Sequence, residues 1–212
     1  MNDLFGSGIQ TVVTLGLISL APFMLVMMTA FTRIVVVLGL TRSALNTPGI
    51  PPNPVIIGLA LFLTAFVMAP TFADINTHAL QPYLAGDIGH VGFFNRAIDP
   101  MREFMLAHTR EKDLALFINL TDSPRPDTPA DVATTTLVPA FVISELRTAF
   151  LIGFIIYIPF IVIDLVISSV LSAVGMVMLP PVLVSLPFKL LLFIVADGWY
   201  LIVQSLVTSY RT

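Results

Sequence analysis

The chain has no cysteine, so disulfides and thiolate catalysis are excluded, although the compartment is left open. Charge is scarce as well. Only 11% of the residues are Asp, Glu, Lys or Arg, where a soluble domain carries about a quarter. The formal net charge of −3 gives no basic surface for nucleic acid. The three histidines (His78, His90, His108) have no metal-ligand spacing. Gly86, Gly89 and Gly92 follow no strand, so they are loop glycines and not a phosphate cradle. No Ser/His/acid set is suggested either. Nothing here points to an enzyme, a metal or a cofactor.

What is present is apolar. Hydrophobic residues make up 57% of the chain, and the mean hydropathy is +0.95. This is the composition of an integral membrane protein. Of the 23 charged residues, 14 fall between Ala73 and Thr136. That segment is therefore the watery part, flanked by two greasy ones. The expected organisation is an N-terminal helical hairpin over 1–72, an extramembrane segment over 73–136 and a C-terminal hairpin over 137–212.

Met1–Gly8 is a short polar start without the basic region of a secretory signal. Ile9–Leu40 is apolar, broken by Pro22 and Arg33, and reads as one tilted or kinked helix. Thr41–Pro54 is dense in Pro, Gly and Asn and reads as a rigid link. Val55–Phe72 reads as a second span. Asp99-Pro100 predicts a helix start, with Asp as cap and Pro in the first turn. A further short helix is expected from Thr109 or Arg110 to Leu120, and an irregular stretch over Ser123–Asp131. Leu137–Val174 is longer than a bilayer needs and should bend at Pro159. Ser168, Ser169, Ser172 and Ala173 offer a small-residue face for close helix approach. Val182–Val207 reads as the last span, with Trp199 and Tyr200 as interface anchors.

Between the last two runs lies Gly175-Met-Val-Met-Leu-Pro-Pro181. Gly175 can end a helix, and Pro180-Pro181 cannot continue one. Links between spans are usually polar, and this one is apolar. It is either a plain tight turn with incidental methionines, or a soft constriction repeated around a ring of subunits. Methionine suits the latter because its unbranched thioether repacks easily.

Six charges sit in or beside apolar runs: Arg33, Glu145, Arg147, Asp164, Lys189 and Asp197. Each would cost about 2.5–3.5 kcal/mol facing lipid at a helix centre, so they must pair, face water or meet other protein. Glu145 and Lys189 are the expected pair, within one hairpin or between neighbours. Lys189 and Asp197 lie about 80° apart around a helix and cannot be direct partners. The set could lock subunit register, Asp164 or Asp197 could serve proton or ion coupling, and Arg33 and Arg147 could snorkel. An ion-coupled carrier built on Asp164 and Asp197 is the competing function, although no internal repeat supports it.

Several long motifs resemble the FliP family of flagellar protein-export components. They are Phe31-Thr-Arg-Ile-Val-Val-Val-Leu, Pro51-Pro-Asn, Ile57-Gly-Leu-Ala-Leu-Phe-Leu-Thr, Ser144-Glu-Leu-Arg-Thr-Ala-Phe, Ile158-Pro-Phe-Ile-Val-Ile-Asp-Leu-Val, Gly175-Met-Val-Met-Leu-Pro-Pro, Ser185-Leu-Pro-Phe-Lys-Leu and Asp197-Gly-Trp. Virulence injectisome homologues share most of them, while the stretch from Met101 to Phe117 looks like the flagellar form. The resemblance implies an all-α membrane protein of kinked hairpins forming a pentameric ring with FliR and FliQ. It implies a closed channel for unfolded flagellar proteins in the bacterial inner membrane, set partly above the bilayer plane, with 73–136 facing the periplasm. It implies that Met176, Val177 and Met178 form a gasket, with Val177 standing where the family often has a third, more flexible methionine. It implies that Glu145 and Lys189 are intersubunit contacts. Flagellar members usually begin with a cleavable signal peptide, so the sequence is expected to be a mature or trimmed form, or a member without one.

Overall fold

A computed structural model describes residues 19, 26–47, 49–121, 126, 128–176 and 178–211. Among them every regular element is helical. Half of the expected first span, Pro22 included, lies outside the described residues.

Helix α1 is Phe31–Ala44, preceded by a turn at Met28–Ala30. Apolar composition alone predicted no break there. The break follows from Thr29, whose hydroxyl donates to Val26 O at 2.7 Å and accepts from the Phe31 N–H at 3.3 Å. A threonine that bonds nearby backbone in this way offers the chain an alternative to continuous helix.

Helix α2, Asn53–Val67, starts with Pro54 in its first turn. It gives way at Met68 to α3, Ala69–Ile75, which continues through a π turn at Asn76–Leu80 into α4, Gln81–Leu84. The axis bends by 59° at Met68. The expected second span Val55–Phe72 is therefore broken near its end. Pro70 explains the bend, because its ring would clash with the carbonyl of Phe66 in a straight helix.

Helix α5 spans His90–His108 with Pro100 inside it, so Asp99 does not cap a start there. The helix begins earlier because its first turn is held by tertiary contacts. The Tyr83 ring packs on His90 and Phe93 with centroids 5.4 and 5.3 Å apart, and its hydroxyl lies 2.9 Å from His90 Nδ1. Helix α6, Glu111–Asn119, matches the expected short helix. Pro129–Asp131 forms a single 3-10 turn. From α5, Arg102 bonds Ala130 O, Val132 O and Thr134 Oγ1 at 2.8, 2.6 and 2.5 Å and fixes the chain's entry into the next helix.

That helix, α7, runs Thr134–Ala173, 40 residues through both Pro139 and Pro159. At 1.5 Å per residue it is about 60 Å long. It is the one described helix long and apolar enough to cross a membrane unaided. Its main partner is α1. Gly153 of α7 faces Leu40 of α1, and a Cβ on Gly153 would overlap that side chain. The expected small-residue face lies elsewhere and is uncovered: Ser169, Ser172 and Ala173 are exposed, and the two hydroxyls bond back to their own helix.

The Met-bearing link closes α7 with a Schellman motif. Gly175 takes φ +78°, its N–H donates to Ser172 O at 3.1 Å, and the Met176 N–H donates to Leu171 O at 2.9 Å. Helix α8, Pro181–Val195, begins with proline at its first position. The expected single span Val182–Val207 is instead two helices. Helix α9, Gly198–Thr208, leaves α8 at 62°. Asp197 takes the left-handed conformation at the bend, φ 51° and ψ 52°. Gly198 is required next, because a Cβ there would overlap the Phe193 ring. Trp199 then packs edge-on against Phe193 with centroids 5.3 Å apart.

Candidate functional site

Two ionic clusters, one buried and one partly so, pin α1, α7, α8 and the residues after α9 together. The first forms where α1, α7 and the C-terminus meet. Arg33 and Glu145 make a bidentate pair, Nε to Oε2 at 3.0 Å and Nη2 to Oε1. Arg33 Nη1 also donates to Ser209 O at 3.1 Å and Ser209 Oγ at 2.9 Å. The Tyr210 ring lies under the guanidinium, 3.9 Å from Cζ, and its hydroxyl donates to Glu145 Oε2 at 2.5 Å. The planar fork of Arg33 thus satisfies a carboxylate, a backbone carbonyl and an aromatic face together, which a lysine could not do.

The second cluster joins α7, α8 and the end of α1. Lys189 Nζ donates to Asp164 Oδ2 at 2.6 Å and to Ala44 O at 3.3 Å. Asp164 Oδ1 accepts from Ser185 Oγ at 2.6 Å, so both carboxylate oxygens are used. Turned with its oxygen toward the ammonium, the Asn46 amide accepts from Lys189 at 2.5 Å and donates to Ser43 O at 3.3 Å. Lys189 therefore sits against the carbonyl end of α1, where a cation is favoured.

Glu145 and Lys189 are not partners within the chain. They are 0% and 1% exposed, and each is engaged by another residue of the same chain. The reason is axial level. Lys189 stands opposite Asp164, which lies 19 residues from Glu145, about 28 Å along α7. Arg147 is exposed on α7, and Asp197 is exposed at the α8–α9 bend. Asp164 and Asp197 thus do not share a charge site: Asp164 is committed to Lys189 and Ser185.

A smaller polar knot ties the charge-rich segment to α7. Ser144 Oγ on α7 donates to Asp113 Oδ2 at 2.6 Å and accepts from the Arg110 N–H at 3.1 Å. Arg110 Nη2 reaches the same Asp113 oxygen at 2.5 Å. Burial works against ionisation of Asp113, but the Ser144 hydroxyl and the Arg110 guanidinium outweigh it and hold the carboxyl below its usual range.

The apolar link between α7 and α8 presents its methionines outward. Met176 is 48% exposed and Met178 is 99% exposed. Val177 lies outside the described residues. Among the described residues nothing covers Met178.

Sequence reasoning missed Tyr210, Ser209, Ser185 and Asn46. Ser185 had a usable signal, since it lies one helical turn before Lys189. Asn46 follows α1 at φ 55°, a conformation asparagine tolerates better than most residues. Tyr210 had no signal beyond being a polar-tipped aromatic after an apolar run.

The sequence model of the FliP family matches residues 14–206. The chain belongs to the FliP family. This FliP-family chain is 54% identical over 204 residues to the flagellar biosynthetic protein FliP of Bacillus subtilis, covering 96% of this chain and 92% of that one. It is 48% identical to the protein of the same name from Aquifex aeolicus, with 96% and 86% covered. With the one from Pectobacterium carotovorum it shares 50% identity, over 95% of this chain and 78% of the relative. All six charges in or beside the apolar runs and the Met-bearing link fall inside the matched range, whereas Ser209 and Tyr210 lie just beyond it.

Proposed function

We propose that this chain is a channel-forming subunit of the flagellar protein-export gate. It assembles as a ring, pentameric by family resemblance, with FliQ- and FliR-type partners in the bacterial inner membrane. Its extramembrane segment faces the periplasm. Unfolded flagellar proteins are the cargo, and the driving energy comes from outside the subunit.

The observation that carries this reading is the Met-bearing link. Its charged neighbours are neutralised inside the subunit, and what remains at the hairpin tip is flexible, apolar and uncovered. Brought together around an axis, such tips make a constriction that resists hydrated ions by staying dry. Methionine side chains can still repack around a passing chain. The two ionic clusters act beneath this seal, fixing the levels of α1, α7 and α8 relative to one another within each subunit.

The test is conductance. Glycine at both Met176 and Met178 removes the plugging side chains while leaving the helices intact. Membranes carrying the assembled complex with this double substitution are expected to leak small ions at several times the unsubstituted rate. Unchanged conductance with normal assembly would remove the gasket.

A further inference from the structure

Two charges inside the apolar runs enter no ion pair among the described residues: Arg147 and Asp197. They have opposite sign, and each is set in exposed apolar surface. Arg147 lies on a stripe of α7 that continues through Phe150, Phe154, Ile158, Ile161 and Leu165, all at helical spacing and all exposed. Asp197 is flanked by Ile194, Val195 and Leu201, also exposed. A stripe that faced only lipid would carry Arg147 at a heavy cost, and the α8–α9 bend would carry Asp197 likewise.

The two cannot meet within one chain. Phe160 packs on Phe193, which sets the relative level of α7 and α8. On that scale Asp197 and Arg147 stand roughly 14 Å apart along the α7 axis.

We propose that Arg147 of one copy pairs with Asp197 of the next, so that the exposed α7 stripe is covered by a neighbour's α8–α9 bend. This rests on the reading of the chain as a ring subunit and names the faces that meet. Because the two faces differ, the interface is head-to-tail, and such interfaces propagate around a ring or a helix. The axial offset requires neighbouring copies to be staggered, with the long Arg147 stem taking up part of the difference. One contact would thereby bury a lone cation, a lone anion and part of this uncovered apolar stripe.

The chain is free of cysteine, which makes the test direct. Arg147→Cys and Asp197→Cys are introduced together in the full-length chain and treated in native membranes with a short bifunctional maleimide. A disulfide would be too short for the backbone separation of an Arg–Asp pair. The expected result is a ladder of covalent multimers that neither single variant gives. In parallel, Arg147→Asp should cut multimer recovery several-fold, and adding Asp197→Arg should restore it. A multimer of normal native mass that gives no ladder overturns this pairing and leaves the ring reading intact. A covalently closed monomer also overturns it. A native mass of one chain overturns both.

Discussion

Arg33→Ala is expected to lower the stability of the subunit by about 3–5 kcal/mol, the usual cost of leaving one partner of a buried pair alone. Total folding stabilities are only about 5–15 kcal/mol, so this is a large fraction. The substitution removes both bonds to Glu145 and both to Ser209, and it takes the cation from the Tyr210 ring. Glu145 would be left fully buried with only the Tyr210 hydroxyl as partner among these groups. Arg33→Lys should recover only part of the loss, because an ammonium cannot reproduce the bidentate fork. Arg33→Met combined with Glu145→Leu should be milder than Arg33→Ala, since no charge is then stranded. Thermal unfolding in detergent gives the order. Equal midpoints for Arg33→Ala and the unsubstituted chain would show that the cluster is not formed.

The second large effect is expected at Lys189. Lys189→Glu places a carboxylate against Asp164 and the carbonyl of Ala44, in a position 1% exposed. Like charges in a buried site repel, and both anions lose their cation. The hairpin should fail to fold, with little protease-resistant protein recovered from membranes. The informative comparison is the compensating change. Asp164→Lys should restore a substantial part of the recovery, because it rebuilds the pair with exchanged ends. Glu145→Lys should not, because residue 145 lies about 28 Å away along α7. Recovery through Glu145→Lys instead would mean that Lys189 reaches a neighbour's Glu145 and that the pairing within the chain is not the one that matters.

These two results separate what was legible in the sequence from what was not. The helical membrane character follows from scarce charge and long apolar runs. So does the position of the apolar link, because Gly175 and Pro180-Pro181 punctuate it unambiguously. The bends were less visible. Pro70 and the Asp197-Gly198 dipeptide are both turn signals, but each lies within a run whose hydropathy suggests a continuous span. Conversely, Pro100 reads as a helix start and Pro159 as a bend, and both lie inside unbroken helices. Packing decides these cases: the Tyr83 cluster holds the start of α5, while Phe193 packs against Gly198 and Trp199 at the α8–α9 bend. The ionic partners were illegible for a different reason. Spacing gives a residue's height along its own helix, but not the level at which two helices are pinned. That level is set by Gly153 against Leu40 and Phe160 against Phe193.

The central claim is that the uncovered apolar surface of this subunit is made for other subunits. Only 11% of the most apolar stretch of α7 is buried within the chain. The direct measurement is the native mass of the full-length protein extracted in mild detergent after co-expression with FliQ- and FliR-type partners. A particle containing several copies of the 23.1 kDa chain, five by family resemblance, is the predicted result. A stable particle holding a single 23.1 kDa chain, with α7 covered by detergent alone, would contradict the account.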